Sequence, residues 1–136
     1  MSGERDLKKL VGGMSPELHP GSWVFATVPD GRLPEGATPV VTVAEPEGLT
    51  LVVRQEEADA AGLAYSYVAG WITLRVHSAL DAVGLTAAVA QELATAGLSC
   101  NVVSGFHHDH LFVPFNRASL AVALLEDLAA RAADHG

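Results

Sequence analysis

His107-His108-Asp109-His110 is the densest group of side chains able to bind a metal or move a proton, since neutral imidazole and carboxylate are ordinary ligands for zinc or iron. Strand geometry divides it. On a continuing strand His108 and His110 share one face and His107 and Asp109 the other, leaving two ligands together unless His77 joins them. A polar turn over 105–109, with Asp109 holding an imidazole in place, accounts for the same residues, and no metal is expected. Cys100, the single cysteine, stands between Ser99 and Asn101 in a segment that reads as a buried strand, so it reads as a packed small apolar group. A Cys100–histidine enzyme is the catalytic alternative. Ser66, Ser78, Ser99 and Ser104 sit in no nucleophile-elbow pattern, and Gly12-Gly13 precedes neither a Lys-Ser/Thr pair nor a helix start. No catalytic residue and no cofactor are assigned, and the protein is expected not to be an enzyme.

The elements that would position these groups follow from periodicity. Leu7, Leu10, Val11 and Met14 form one stripe of a short helix that Gly12-Gly13 and Pro16 end. Strands are expected over 22–28, 38–44 and 49–54, the last two joined by a turn containing Pro46. A short helix over 55–61 stops at Gly62, and a strand over 63–68 precedes one over 71–77, where Trp71, Thr73, Arg75 and His77 alternate with Ile72, Leu74 and Val76. A long helix over 80–96, strands over 99–104 and 110–113, and a final helix over 116–133 complete the chain.

Internal repetition organises this list. Gly21-Ser22-Trp23-Val24-Phe25-Ala26-Thr27-Val28 parallels Ala69-Gly70-Trp71-Ile72-Thr73-Leu74-Arg75-Val76, and Leu51-Val52-Val53-Arg54 before a helix parallels Leu111-Phe112-Val113-Pro114 before a helix. The second half spaces its matching segments further apart, by about the helix that stands where the first half has only a loop. Each half is a split βαβ plan. Residues 4–13 are placed to stand in for the helix missing from the first half, and the fourth strand missing from the second half has to come from another segment or chain. Trp23 and Trp71, at matching positions, read as core or interface aromatics.

At Asp81-Ala82-Val83-Gly84-Leu85-Thr86-Ala87-Ala88-Val89, followed by Leu98-Ser99-Cys100-Asn101-Val102-Val103, the sequence resembles the ACT family of small regulatory domains. Residues 70–130 are similar to ACT modules of aspartokinase type, and the preceding residues resemble the partner module of small stand-alone tandem ACT proteins. The resemblance implies an α+β protein of two ferredoxin-like βαββαβ modules, 1–69 with an extra leading helix and 70–136, packed together with antiparallel sheets and helices on one face. It also implies a non-catalytic regulatory protein that binds an amino acid or similar small metabolite, working as a homodimer. The candidate ligand-binding residues are Ser78, Asp81, Val83, Gly84, Leu85, Cys100, Asn101 and Val102. The chemistry fits. Gly84 lets backbone approach a ligand, helix N–H groups favour a carboxylate, Asp81 or carbonyls at the end of strand 71–77 would take an ammonium, and Asn101 both donates and accepts. The alternative is structural: Asp81 as an N-cap, Gly84 for helix–sheet packing, Asn101 in a structural hydrogen bond, in a dimerisation module whose cleft beside Gly84 is filled by side chains.

Composition narrows the partners. The 136 residues are 49% apolar, enough to bury a core, yet 8 basic side chains against 16 acidic ones give a net charge of −8. The basic residues form no stripe, which argues against nucleic acid. Glu45, Glu47, Glu56, Glu57 and Asp59 read as a solvated acidic face. The N-terminus shows no apolar run behind a basic start and no membrane span is visible, so a cytoplasmic location without membrane attachment is expected.

Overall fold

A computed structural model describes residues 6–76 and 82–134. They form two compact units, one of residues 20–69 and one assembled from the first 19 residues together with Gly70 onward.

In the unit of residues 20–69, β2 (Trp23–Val28), β3 (Val41–Glu45) and β4 (Gly48–Arg54) lie antiparallel with β4 in the middle, followed by the short helix α2 (Gln55–Ala60). Register pairs Trp23 with Arg54 and Thr27 with Thr50 across β2 and β4, and Glu45 with Gly48 at the hairpin end, where Pro46 and Glu47 make the turn. Alternation sends Val24, Val28, Leu51 and Val53 to the α2 side, where they close over Ala58. The opposite face carries Trp23, Phe25 and Thr27, with the Arg54 guanidinium 4.7 Å from the centre of the Trp23 ring. Gly62, at φ +69, ends α2 as expected, and Leu63 N donates to Ala58 O.

Residues 63–67 are not the expected strand. The Tyr65 hydroxyl accepts from Gln55 Nε2 and donates to Asp59 Oδ1, which ties this segment back to α2. Pairing starts instead at Val68, and β5 (Val68–Arg75) runs unbroken through Gly70. Its first two residues pair antiparallel with Val24 and Trp23, supplying the fourth strand of this unit.

In the other unit the order is β1 (Ser15–Leu18), β5, β7 (Asp109–Pro114), β6 (Asn101–Ser104), with α1 (Leu7–Gly13), α3 (Leu85–Thr95) and α4 (Ala118–Asp134) on one face. β1 is the missing fourth strand of the second half, pairing Ser15–Leu18 antiparallel with Arg75–Ile72. No strand is legible there in the sequence, because β1 is four residues long, mostly exposed and holds a proline. The leading helix also departs from expectation: Leu10, Val11 and Met14 join Ile72, Leu74, Val89, Leu93, Leu111, Val113 and Leu125 in the core of the second half's unit, and none of them enters the core around Ala58. Asp6 caps α1 by accepting from Lys9 N at 3.2 Å. Gly70 lies in β5 because α4 crosses it closely: a Cβ at Gly70 would stand 2.6 Å from Ala118 Cβ.

Candidate functional site

Ser78 and Asp81, and His77 with them, lie outside the described residues. The rest of the expected ligand loop divides between environments. Val83 is 82% exposed, whereas Leu85 is buried in the core and Cys100 and Val102 pack against it. Asn101 faces the other side of β6, where it is exposed opposite Phe112 and its side chain makes no hydrogen bond to the described residues. Gly84 begins α3 at φ +104, a conformation only glycine adopts readily, which is why the helix starts at Leu85 rather than at residue 80. Gly84 provides no side-chain cap and the first turn holds no acidic residue, so among the described residues no side chain satisfies the first N–H groups of α3. Leu7 occupies part of the space beside it, with methyl carbons 3.1 and 3.2 Å from where a Cβ on Gly84 would stand.

The same unit carries a second polar arrangement on the sheet face away from its helices. Alternation along β5 turns Ile72 and Leu74 into the core and Trp71, Thr73 and Arg75 to this face. His19, just beyond β1, donates its N–H to Trp71 O at 2.9 Å and stacks on the Trp71 indole, ring centres 3.6 Å apart. Its Nε2 lies 2.7 Å from Thr73 Oγ1, which lies 3.0 Å from His110 Nδ1. Trp71 Nε1 donates to that same Nδ1 at 3.1 Å. At the margin Arg75 Nε donates to Glu17 Oε1 at 2.8 Å, and this bond holds the Glu17 carboxyl below the usual carboxylate range.

An indole N–H only donates, so His110 Nδ1 is the acceptor and a neutral ring carries its proton on Nε2. Burial lowers the basicity of His110, and the nearby His108, His19 and Arg75 reinforce the effect against the opposing pull of Asp109. Burial likewise lowers that of His19, Glu17 opposing and Arg75 assisting. His108 Nδ1 is buried without a hydrogen-bond partner among the described residues. The sequence marks His110 only as one member of the 107–110 cluster, for which no metal is expected, and marks neither His19 nor Thr73 as its partner; the period-two pattern at 71–75 is the available signal for Thr73, while nothing local marks His19.

Thr73 and His110 stand at the spacing of a nucleophile and its base, but the threonine is 1% exposed and the imidazole lone pair already receives the indole N–H. Burial pushes the Cys100 thiol up to about 11, so at neutral pH it is not the thiolate a cysteine enzyme uses. Among the described residues no three histidine, cysteine or acidic side chains are placed to hold a metal ion, and no helix is long and apolar enough to cross a membrane.

Two α+β units, each with an antiparallel sheet in the ferredoxin-like strand order and helix on one face, define a tandem of ferredoxin-like modules. The comparisons agree: the ACT domain family matches twice, over residues 2–70 and 66–127, and the chain belongs to that family. A protein of unknown function from Vibrio cholerae, described as a possible transport protein, is 47% identical, with 94% of this chain and 99% of that one covered and a TM-score of 0.80. A protein from Agrobacterium tumefaciens is 22% identical over 85% of this chain and 89% of its own, TM-score 0.64. The regulatory subunit of aspartate kinase from Thermus thermophilus, in its ligand-free form, is 10% identical over 83% and 95%, TM-score 0.63, a likeness of fold. No curated protein matches the sequence.

Proposed function

We propose that this protein is a non-catalytic ACT regulator, its modules dividing at residues 69 and 70, that binds an amino acid or similar small metabolite at the loop entering α3 and works as a homodimer. The observation that carries the reading is the start of α3 on Gly84, which no side chain caps among the described residues, so that helix N–H groups and the positive end of the helix dipole suit a carboxylate. Asp81 then takes the ammonium and Asn101 contributes its free amide, with Ser78 and the backbone of Val83, Leu85, Cys100 and Val102 around them. Binding acts by differing affinity for two arrangements of the protein. The likeness in fold to an aspartate kinase regulatory subunit supports the same reading.

Leu7 beside Gly84 favours a second reading, a dimerisation module that fills this cleft with its own side chain and takes no ligand. Thermal-shift titration against the proteinogenic amino acids separates them. A saturable rise in melting temperature with one amino acid, abolished by Asn101→Ala and by Asp81→Ala, is expected; silence toward all of them, with the chain still dimeric by sedimentation, selects the ligand-free module.

A further inference from the structure

The unit of residues 20–69 contains a cleft that the preceding reading does not use. It is an open surface depression of about 620 Å³, bordered by Phe25, Thr27, Glu45, Thr50, Tyr65 and Ser66. We propose that this cleft binds a small organic ammonium compound, its charge on Glu45 and its apolar body against the rings of Phe25 and Tyr65.

Register assembles the polar side of the cleft. Thr27 and Thr50 face each other across β2 and β4, and Glu45, at the end of β3, accepts the Thr50 hydroxyl at one carboxylate oxygen. That bond orients the carboxylate. Its other oxygen and the hydroxyls of Thr27 and Ser66 make no hydrogen bond to the described residues, so the carboxylate is available to an ammonium and the two hydroxyls are further acceptors on the same lining. Among the described residues no lysine or arginine lines the cleft and Glu45 is its one charged wall, so a ligand carboxylate would find repulsion without a counter-charge. A zwitterionic amino acid is therefore a poorer fit than an amine of the same shape.

The apolar side is held in place beforehand. The Tyr65 hydroxyl accepts from Gln55 Nε2 at 2.9 Å and donates to Asp59 Oδ1 at 2.7 Å, and Gln55 Oε1 accepts from Ser22 Oγ at 2.8 Å. This relay spends the phenol on α2 and leaves the ring as a fixed wall. Phe25 is braced edge-on by Tyr67, ring centres 6.1 Å apart. Walls ordered before binding lower its entropic cost.

Calorimetric titration of the full chain with tryptamine, and with 3-indolepropionate as a probe of similar shape and opposite charge, tests the assignment. Tryptamine is expected to bind saturably at one site and 3-indolepropionate not to bind there. Glu45→Gln, exposed and nearly isosteric, is expected to weaken tryptamine by about tenfold or more, the loss of one charge-assisted hydrogen bond, with an unchanged circular dichroism spectrum. Asp81→Ala, at the separate α3 loop, is expected to leave tryptamine binding unaltered. The proposal is overturned by absence of saturable tryptamine binding, by equal binding of the acid, or by unchanged affinity in Glu45→Gln.

Discussion

Protonating His110 at Nδ1 sets two N–H groups against each other, because the Trp71 indole already donates to that nitrogen. The folded protein therefore resists charging this ring, and His19, stacked on the same indole, resists through its own burial. Both folded-state pKa values lie below the unfolded histidine value of about 6.5. The unfolded chain takes up protons first as pH falls, so these rings leave stability intact above about pH 6.5 and withdraw it as pH drops through that value toward the folded pKa. The groups facing them are Glu17, Arg75, His108 and Asp109, of which Glu17 keeps its charge through this window. Urea midpoints are expected to fall between pH 7.5 and 5.5, and His110→Gln, which keeps an acceptor for the indole but cannot titrate, is expected to flatten that fall; an equal slope in the variant would remove His110 from the account. Cys100 gives a second residue-scale expectation. With its thiol pushed up to about 11, the native protein should react with iodoacetamide at pH 7.5 about a hundredfold more slowly than in denaturant.

Among the elements, β5 shows most directly how sequence and tertiary packing share the work. Its period-two pattern places Trp71, Thr73 and Arg75 on one face from the sequence alone, but Gly70 reads there as a break between two strands. The glycine is instead where α4 comes closest, so Gly70→Ala drives a methyl into Ala118 and is expected to cost about 1–3 kcal/mol, read from chemical denaturation. The stop at Gly62 was legible because it rests on local backbone chemistry, whereas the start of α3 was not, since the apolar pattern runs on from residue 80 and only the positive φ of Gly84 delays the helix to Leu85. β1 was not, since its four residues are made a strand by partners some sixty positions away. For the same reason the loop residues were nameable but their facing was not: alternation on β6 sends Asn101 one way and Cys100 and Val102 the other. The His19, Thr73, His110 chain joins β1, β5 and β7, a juxtaposition no single window of sequence contains.

For the molecule as a whole, an apolar chain with a net charge of −8 fills two separate cores, one around Ala58 and one around Leu93 and Leu125, and leaves its acidic side chains to the surface. The second core depends on the first nineteen residues. Removing them deletes Leu10, Val11 and Met14, each worth about 1.5–3 kcal/mol of buried apolar surface, along with the strand beside β5. That loss is comparable with the whole stability of a small domain, roughly 5–15 kcal/mol. Hydrogen exchange of a chain lacking residues 1–19 is expected to show collapse of protection in β6, β7, α3 and α4; retained protection there would mean the N-terminal segment is dispensable.

The division of the chain also sets an order of events during synthesis. Residues 20–69 are contiguous and meet their partners locally, whereas α1 and β1 precede them in the chain and must wait for β5, α3 and α4 to follow. Contact order is accordingly high in that unit, and loop closure across the intervening chain is expected to slow its folding relative to residues 20–69. Until then the Leu10, Val11 and Met14 stripe is uncovered, which makes this segment apolar surface of the kind a chaperone binds.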